Sequence, residues 1–315
     1  MNYLSLIIKN KQYNQIVSDF NRGINSHAYL LASEDSLFTE NMAYLLAASI
    51  TGAKHERIEK NVHPDVFIYG KNGKIDVGKV TELVADINVA PYEADKKIYI
   101  LLNIENMNDT SQNKILKSLE EPPKNVIFIL TCANIKNILS TVLSRVKQMK
   151  IDPIANQDIV NLLTENGAKS DMVEVAVSAA GGNSTLAQKL TTQNFLQMYN
   201  NIIEMLNNIS GSKDCLKYIA MFESKNIDKT ELIDTLMLLV RDISLIIAER
   251  QELVINKHHI NVLKTIAKQF NLQATSNIIS ECLRLKEDLY YNTNNTVVLD
   301  RLILKLAQEK AKCRK

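Results

Sequence analysis

Arg145, directly after Ser144, is the side chain of this sequence best placed by type for chemistry. A guanidinium is always charged, and its planar fork matches two phosphate oxygens at once. An arginine of this kind can stabilise the charge that develops during phosphoryl transfer. The partners that such chemistry needs within one chain are missing. A phosphate-binding loop requires Gly-x-x-x-x-Gly-Lys-Ser/Thr, because backbone amides must close on the phosphates and a lysine must reach them. The turn expected after the first strand reads Ser33-Glu34-Asp35-Ser36-Leu37-Phe38-Thr39-Glu40. It has no glycine and no lysine, it places Glu34 and Asp35 where phosphate would lie, and Phe38 blocks close backbone approach. Hydrolysis also needs a carboxylate pair at the end of a central strand to hold magnesium and orient water. That strand ends in Leu102-Asn103. Two independent requirements for ATP hydrolysis fail, and Ser144-Arg145 is left as a phosphate-directed pair. The plain alternative is a solvated surface arginine, since Ser-Arg alone is a weak motif.

The elements around this pair read as an α/β core. Lys97-Ile98-Tyr99-Ile100-Leu101-Leu102 and Val126-Ile127-Phe128-Ile129-Leu130-Thr131 are short continuous apolar runs. Such runs suit strands covered on both faces of a parallel sheet. Ala28–Ala32, Val66–Tyr69 and Lys147–Ile151 complete five candidate strands. Helices alternate with them at Thr39–Ile50, Val80–Ile87, Asn108–Glu120 and Ile135–Leu143, which predicts a parallel sheet with crossover helices. Asn108 suits an N-cap, and Pro122 must stop the helix that follows it. Glu120 and Glu121 then sit at the negative end of a helix dipole, where an anion costs roughly 0.3–1 kcal/mol. They are either solvated carboxylates or contacts to a basic or polar surface on a neighbour. With Pro122 and Pro123 they are the interface candidates.

After Asp152-Pro153 the strands cease. Helices are expected at Gln157–Glu165, Asp171–Ala180 and Thr185–Leu190, with Gly181-Gly182-Asn183 supplying a left-handed cap. Long amphipathic helices follow at 196–209, 216–222, 232–249, 260–270, 274–290 and 297–308, with a polar joint at Asn292–Asn295. The division is an α/β domain over 1–151, a small helical domain over 152–192 and a helical domain over 193–315. The apolar faces of 232–249 and 274–290 are expected to pack against neighbouring subunits.

A net charge of +2 gives no polyanion-binding signature. The start, Met1-Asn2-Tyr3-Leu4, lacks the pattern of a signal peptide, and no apolar run approaches the roughly 20 residues of a membrane span. Cys132, Cys215, Cys282 and Cys313 lie far apart and read as reduced thiols of a cytoplasmic protein. No metal site is expected. His63 has no visible nucleophile or orienting partner and reads as structural.

Several short segments occur in a fixed order: His27-Ala28-Tyr29-Leu30, His63-Pro64-Asp65, Asn113 to Pro123 with its Leu-Glu-Glu-Pro-Pro end, Phe128-Ile129-Leu130-Thr131, and Leu143-Ser144-Arg145. Through them the chain resembles the delta-prime subunit family of the bacterial DNA polymerase III clamp loader, within the AAA+ superfamily. The resemblance runs weakly on through Gly181-Gly182-Asn183 and Tyr291–Asn294 and covers most of the chain. It implies a RecA-like α/β domain, a helical lid and a helical collar that joins a hetero-oligomeric ring. It implies a stator without ATPase activity, whose Ser144 and Arg145 act in trans as an arginine finger on ATP held, with magnesium, by a neighbouring motor subunit. The sliding clamp and primed DNA would be met through the complex, and the only enzymatic activity would be that of the DNA-directed DNA polymerase holoenzyme, a nucleotidyltransferase. Two departures stand out. Val146 replaces the usual cysteine after Ser-Arg, and the segment 51–62 lacks the four-cysteine zinc module of many members, so zinc is not expected. The alternatives are an active AAA+ ATPase motor and a non-replicative helical scaffold with a relic core.

Overall fold

A computed structural model describes residues 3–71, 73–168, 173, 176–178, 180–224, 227–290 and 295–313. Most of the expected helix 171–180 and the joint at Asn292–Asn294 lie outside the described residues. The chain divides into two compact units, Met1–Gly167 with Gly181–Leu186, and Ala168–Ala180 with Ala187–Lys315.

In the first unit, strands β1 (Ala28–Ala32), β2 (Val66–Tyr69), β3 (Lys97–Leu101), β4 (Val126–Cys132) and β5 (Lys147–Lys150) form one sheet in the order β2-β3-β4-β1-β5. All neighbours are parallel. Successive side chains of a strand face opposite sides, and here both sides are covered. Tyr29, Leu31, Ile98, Ile100, Ile127 and Ile129 join one core, beneath helices α1 (Tyr3–Lys9), α2 (Lys11–Asn21) and α3 (Ser36–Thr51). Leu30, Tyr99, Leu101, Phe128 and Leu130 join the other, beneath α5 (Val77–Asp86) and α6 (Asp109–Glu120). This double burial is why the strands read as unbroken apolar runs. The short helix α4 (His55–Glu59) precedes β2 and was not expected from the sequence.

The expected helix over Ile135–Leu143 is broken in two: a 3-10 turn at Ile135–Asn137 and one helical turn, α7, at Ser140–Leu143. The reason is a buried side chain from α6. Gln112 Nε2 donates to the Asn137 carbonyl at 3.2 Å, and its Oε1 accepts from the Leu139 amide at 2.9 Å. Those two backbone groups are satisfied without helical pairing. His63 is structural, as expected: its Nδ1 accepts from the Asp65 amide, and the Asp65 carboxylate grips the amides of Tyr92, Glu93 and Ala94. Gly182 has φ +88°, and a Cβ there would stand 2.5 Å from Pro153 Cβ, so glycine is required on both counts.

The second unit is helical, with helices Gln193–Asn208, Ser212–Ser224, Lys229–Ile247, Ile260–Ala267, Leu272–Tyr290 and Asn295–Cys313. One expectation is overturned here. The apolar faces of 232–249 and 274–290 do not await a neighbour, because the two helices pack on each other inside the chain. Leu232, Ile233, Leu236, Leu239, Ile278, Cys282 and Leu285 are all buried within the unit. Helical periodicity identifies an apolar face but not whether its cover is intra- or intermolecular.

Charged groups fix the end of the helical unit. Lys310 is buried and donates to the Leu206 and Asn207 carbonyls at 2.7 Å, capping the C-terminus of Gln193–Asn208. Beside it, Glu309 is 2% exposed and accepts from Lys312, Asn277 and Lys305. Burial alone would raise the Glu309 carboxyl, but those three bonds outweigh it and push it down to about 2. A depressed carboxyl gives stability that is complete above the unfolded glutamate value of about 4.3 and is lost as pH falls toward the folded value. Glu309→Gln is therefore expected to lower stability at pH 7 by up to about 3 kcal/mol. The difference from wild type should shrink steadily between pH 4 and pH 2, as read by urea titration followed by circular dichroism.

Candidate functional site

The loop after β1 carries a phosphate-shaped demand without a phosphate. The N-terminus of α3 points free amides and the positive end of a helix dipole at this spot. In this chain the anion that answers them is Asp35. Its Oδ1 accepts from the Phe38 amide at 3.2 Å. The same carboxylate takes the Ser184 amide at 2.6 Å, the Ser184 hydroxyl at 2.6 Å and the Thr185 hydroxyl at 2.7 Å, with the Thr185 amide at 3.3 Å. The Leu37 amide is satisfied in turn by Thr185 Oγ1 at 2.9 Å. Asp35 is 4% exposed. The sequence marked Asp35 as a charge that repels phosphate. It did not reveal that the carboxylate fills the position, because the partners lie 149 and 150 residues away.

The ends of the central strands tell the same story. Leu102 is buried. Asn103 adopts a left-handed φ of 54°, and its amide donates to Thr131 Oγ1 at 3.0 Å. One carboxylate stands nearby, Glu105, which sequence reasoning did not single out. Its Oε1 accepts the Ala133 amide at 2.8 Å and so ties two loops together. Among the described residues no group of three or more His, Cys, Asp or Glu side chains could hold a metal ion. Burial, then Glu105, pushes the Cys132 thiol up to about 12, so it is no thiolate ligand.

Ser144 and Arg145 lie at the other edge of the sheet. Arg145 sits just before β5, and Asp35 just beyond β1. In the β1–β5 pairing Tyr29 stands opposite Lys147 and Ala32 opposite Lys150, so these are opposite ends of parallel strands. Four residues of strand alone span roughly 10 Å, and each residue lies beyond its own end. Glu120, the last residue of α6, is at the same edge as Arg145. Arg145 Nη2 donates to Glu120 Oε2 at 3.2 Å, and Nη1 donates to the Thr141 carbonyl at 2.9 Å and to Ser144 Oγ at 3.3 Å. Arg145 Nε is buried with no hydrogen-bond partner. The C-terminus of α6 is fixed by His27, whose Nε2 lies 2.8 Å from the Leu119 carbonyl. Glu121 is exposed, and Pro122 and Pro123 are half-buried. Of the interface candidates, only Glu120 is thus brought to Arg145. The misfit of an acid at a helix C-terminus was read as solvation or a neighbour's surface, and the partner lies instead in the same chain.

A five-stranded parallel sheet in this order, covered by helices on both faces and followed by a helical unit, defines a protein with a parallel α/β core and helical domains. Comparison with known proteins gives the particular family. The DNA polymerase III delta subunit family matches residues 8–155, and the C-terminal domain family of the same subunit matches residues 193–308. DNA polymerase III subunit delta' of Bacillus subtilis is 24% identical over 98% of this chain and 98% of its own length. DNA polymerase III subunit gamma of Buchnera aphidicola subsp. Schizaphis graminum is 26% identical over 87% of this chain and 81% of its own. Among solved structures, a gamma subunit-related protein of Thermotoga maritima shares the fold at 17% identity and a TM-score of 0.52, over 95% of this chain and 100% of that one. The chain belongs to the clamp-loader subunit family of DNA polymerase III. Among the described residues no helix is long and apolar enough to cross a membrane.

The Asp35 cluster generates a direct test. Asp35→Ala strands buried donors on Phe38, Ser184 and Thr185, which is expected to cost roughly 3–5 kcal/mol. Chemical denaturation should register that loss. Filter binding should show no gain of ATP affinity, because the loop still lacks glycine and lysine.

Proposed function

We propose that this chain is a non-hydrolysing stator of the clamp loader of the DNA polymerase III holoenzyme, and that Arg145, with Ser144, completes the ATP site of a neighbouring motor subunit. The observation that carries this reading is the separation of the two edges of the sheet. The chain's own anion position is filled by Asp35, and Arg145 stands at the opposite strand ends, too far to serve it. A phosphate-directed arginine in that place has a use only on a nucleotide held by another subunit. Its 30% side-chain exposure leaves it accessible for this.

On this reading the chain has no reaction and no cofactor of its own. ATP and magnesium are held by partner subunits, and zinc has no role. The segment 152–192 serves as a lid and 193–315 as a collar joining the hetero-oligomeric ring. The ring acts in the cytoplasm on the sliding clamp and primed DNA. The likeness to gamma subunits keeps an active motor as the competing reading. Labelled ATP added to the isolated chain separates the two: a stator retains none.

Arg145→Ala is the decisive variant. In the reconstituted, intact complex it is expected to cut turnover at the one affected site by about 10³-fold or more, as for other trans arginines. DNA-stimulated ATP turnover measures it. Unchanged turnover in an intact complex would return Arg145 to the surface.

A further inference from the structure

Arg145 is not presented freely at the sheet edge. Its guanidinium is folded back onto its own chain: Nη1 is spent on the Thr141 carbonyl and Ser144 Oγ, and Nη2 on Glu120. Yet the buried Nε has no partner. A buried donor left unpaired is disfavoured, so this pose does not use the whole fork. Glu120 also sits in an unusual place. As the last residue of α6 it adds negative charge where the helix dipole is already negative. The Arg145 cation relieves that conflict, while its own Nε stays unpaired.

The mounts of the two residues differ. Glu120 is carried by a helix of 12 residues whose end is fixed by His27 at the Leu119 carbonyl and stopped by Pro122. Arg145 follows a helix of only 4 residues. The carboxylate is therefore the fixed member and the guanidinium the movable one. The pair is also weak enough to open, with Glu120 57% exposed and Arg145 30% exposed.

We propose that Glu120 is a positioning residue for Arg145: its carboxylate holds the guanidinium on its own chain until a triphosphate on the neighbouring subunit displaces it. This rests on the trans role of Arg145 given above. A single exposed carboxylate holds the fork through one nitrogen at 3.2 Å. A terminal phosphate carries more charge and offers oxygens to two nitrogens together. A diphosphate lacks that terminal group. Glu120 thus sets the threshold at which the arginine crosses over, and makes crossing depend on the nucleotide.

The test uses the whole reconstituted clamp loader with primed DNA and clamp, and reads ATP turnover against ATP concentration. Removing the competing charge with Glu120→Gln or Glu120→Ala is expected to lower the KM for ATP by about two- to fivefold, the range of an exposed ion pair. The effect should fall on KM rather than kcat. In an Arg145→Ala background the same substitutions should change nothing. An unchanged or raised KM, or an equal fall of KM without Arg145, overturns the proposal. If Arg145→Ala alone leaves turnover intact, the trans arginine itself is refuted and Glu120 loses its role with it. If Arg145→Ala cripples turnover while Glu120→Gln shifts no KM, the trans arginine stands and only the positioning role falls.

Discussion

The interaction on which most of this structure turns is the buried carboxylate of Asp35 at the start of α3. A helix that begins at the end of a parallel β-strand presents unpaired amides and a positive dipole to the same point. Something anionic must answer them. In nucleotide-binding relatives of such a fold a phosphate does so, and the loop is built of glycine to let it approach. Here the answer is a side chain, held by amides and hydroxyls from Phe38, Ser184 and Thr185. Once that carboxylate is in place the glycines and the lysine are unnecessary, and Phe38 can be buried in the core at the position they would have kept open. The absent glycines and lysine and the internal anion are thus two sides of one arrangement.

Much of the α/β unit was legible in the sequence, for a physical reason. Strands buried on both faces need continuous apolar runs, and Ala28–Ala32, Lys97–Leu101 and Val126–Cys132 are buried at every position. Caps at Asn108 and the stop at Pro122 are local signals, and α6 begins and ends by them. What escaped were contacts set by tertiary structure. The helix expected over Ile135–Leu143 broke because Gln112, more than twenty residues earlier, supplies the hydrogen bonds that helical pairing would have made. The faces of 232–249 and 274–290 were apolar as expected but cover each other. Periodicity records that a face is buried and is silent about the partner.

The candidate site shows the same division. Arg145 could be singled out because arginine chemistry is intrinsic to the residue. Glu120 could be noticed because it violates the helix dipole. Neither observation predicts that the two meet, since the loop that joins them contains a whole strand, β4, and its return. A local rule broken in sequence was here a pointer to a nonlocal partner. Asp35 was marked only as a charge in the way of phosphate: an acid near a helix N-terminus violates no local rule, so nothing in the sequence pointed to its partners at Ser184 and Thr185.

The parallel sheet then decides the direction in which the chain can act. Every strand runs the same way, so the β-to-α loops collect at one edge and the α-to-β loops at the other. Asp35, Asn103 and Glu105 belong to the first set, and Glu120 and Arg145 to the second. A chain of this topology therefore carries the loops that could hold a nucleotide at one edge and the arginine at the other. Asp35 fills the first edge internally and makes no contact with the second. Because the two edges are separated by the length of the strands, the internal anion at Asp35 does not disturb the guanidinium at Arg145. The trans role proposed for Arg145 is compatible with a filled anion position for this reason: the two sites share a sheet but not an edge.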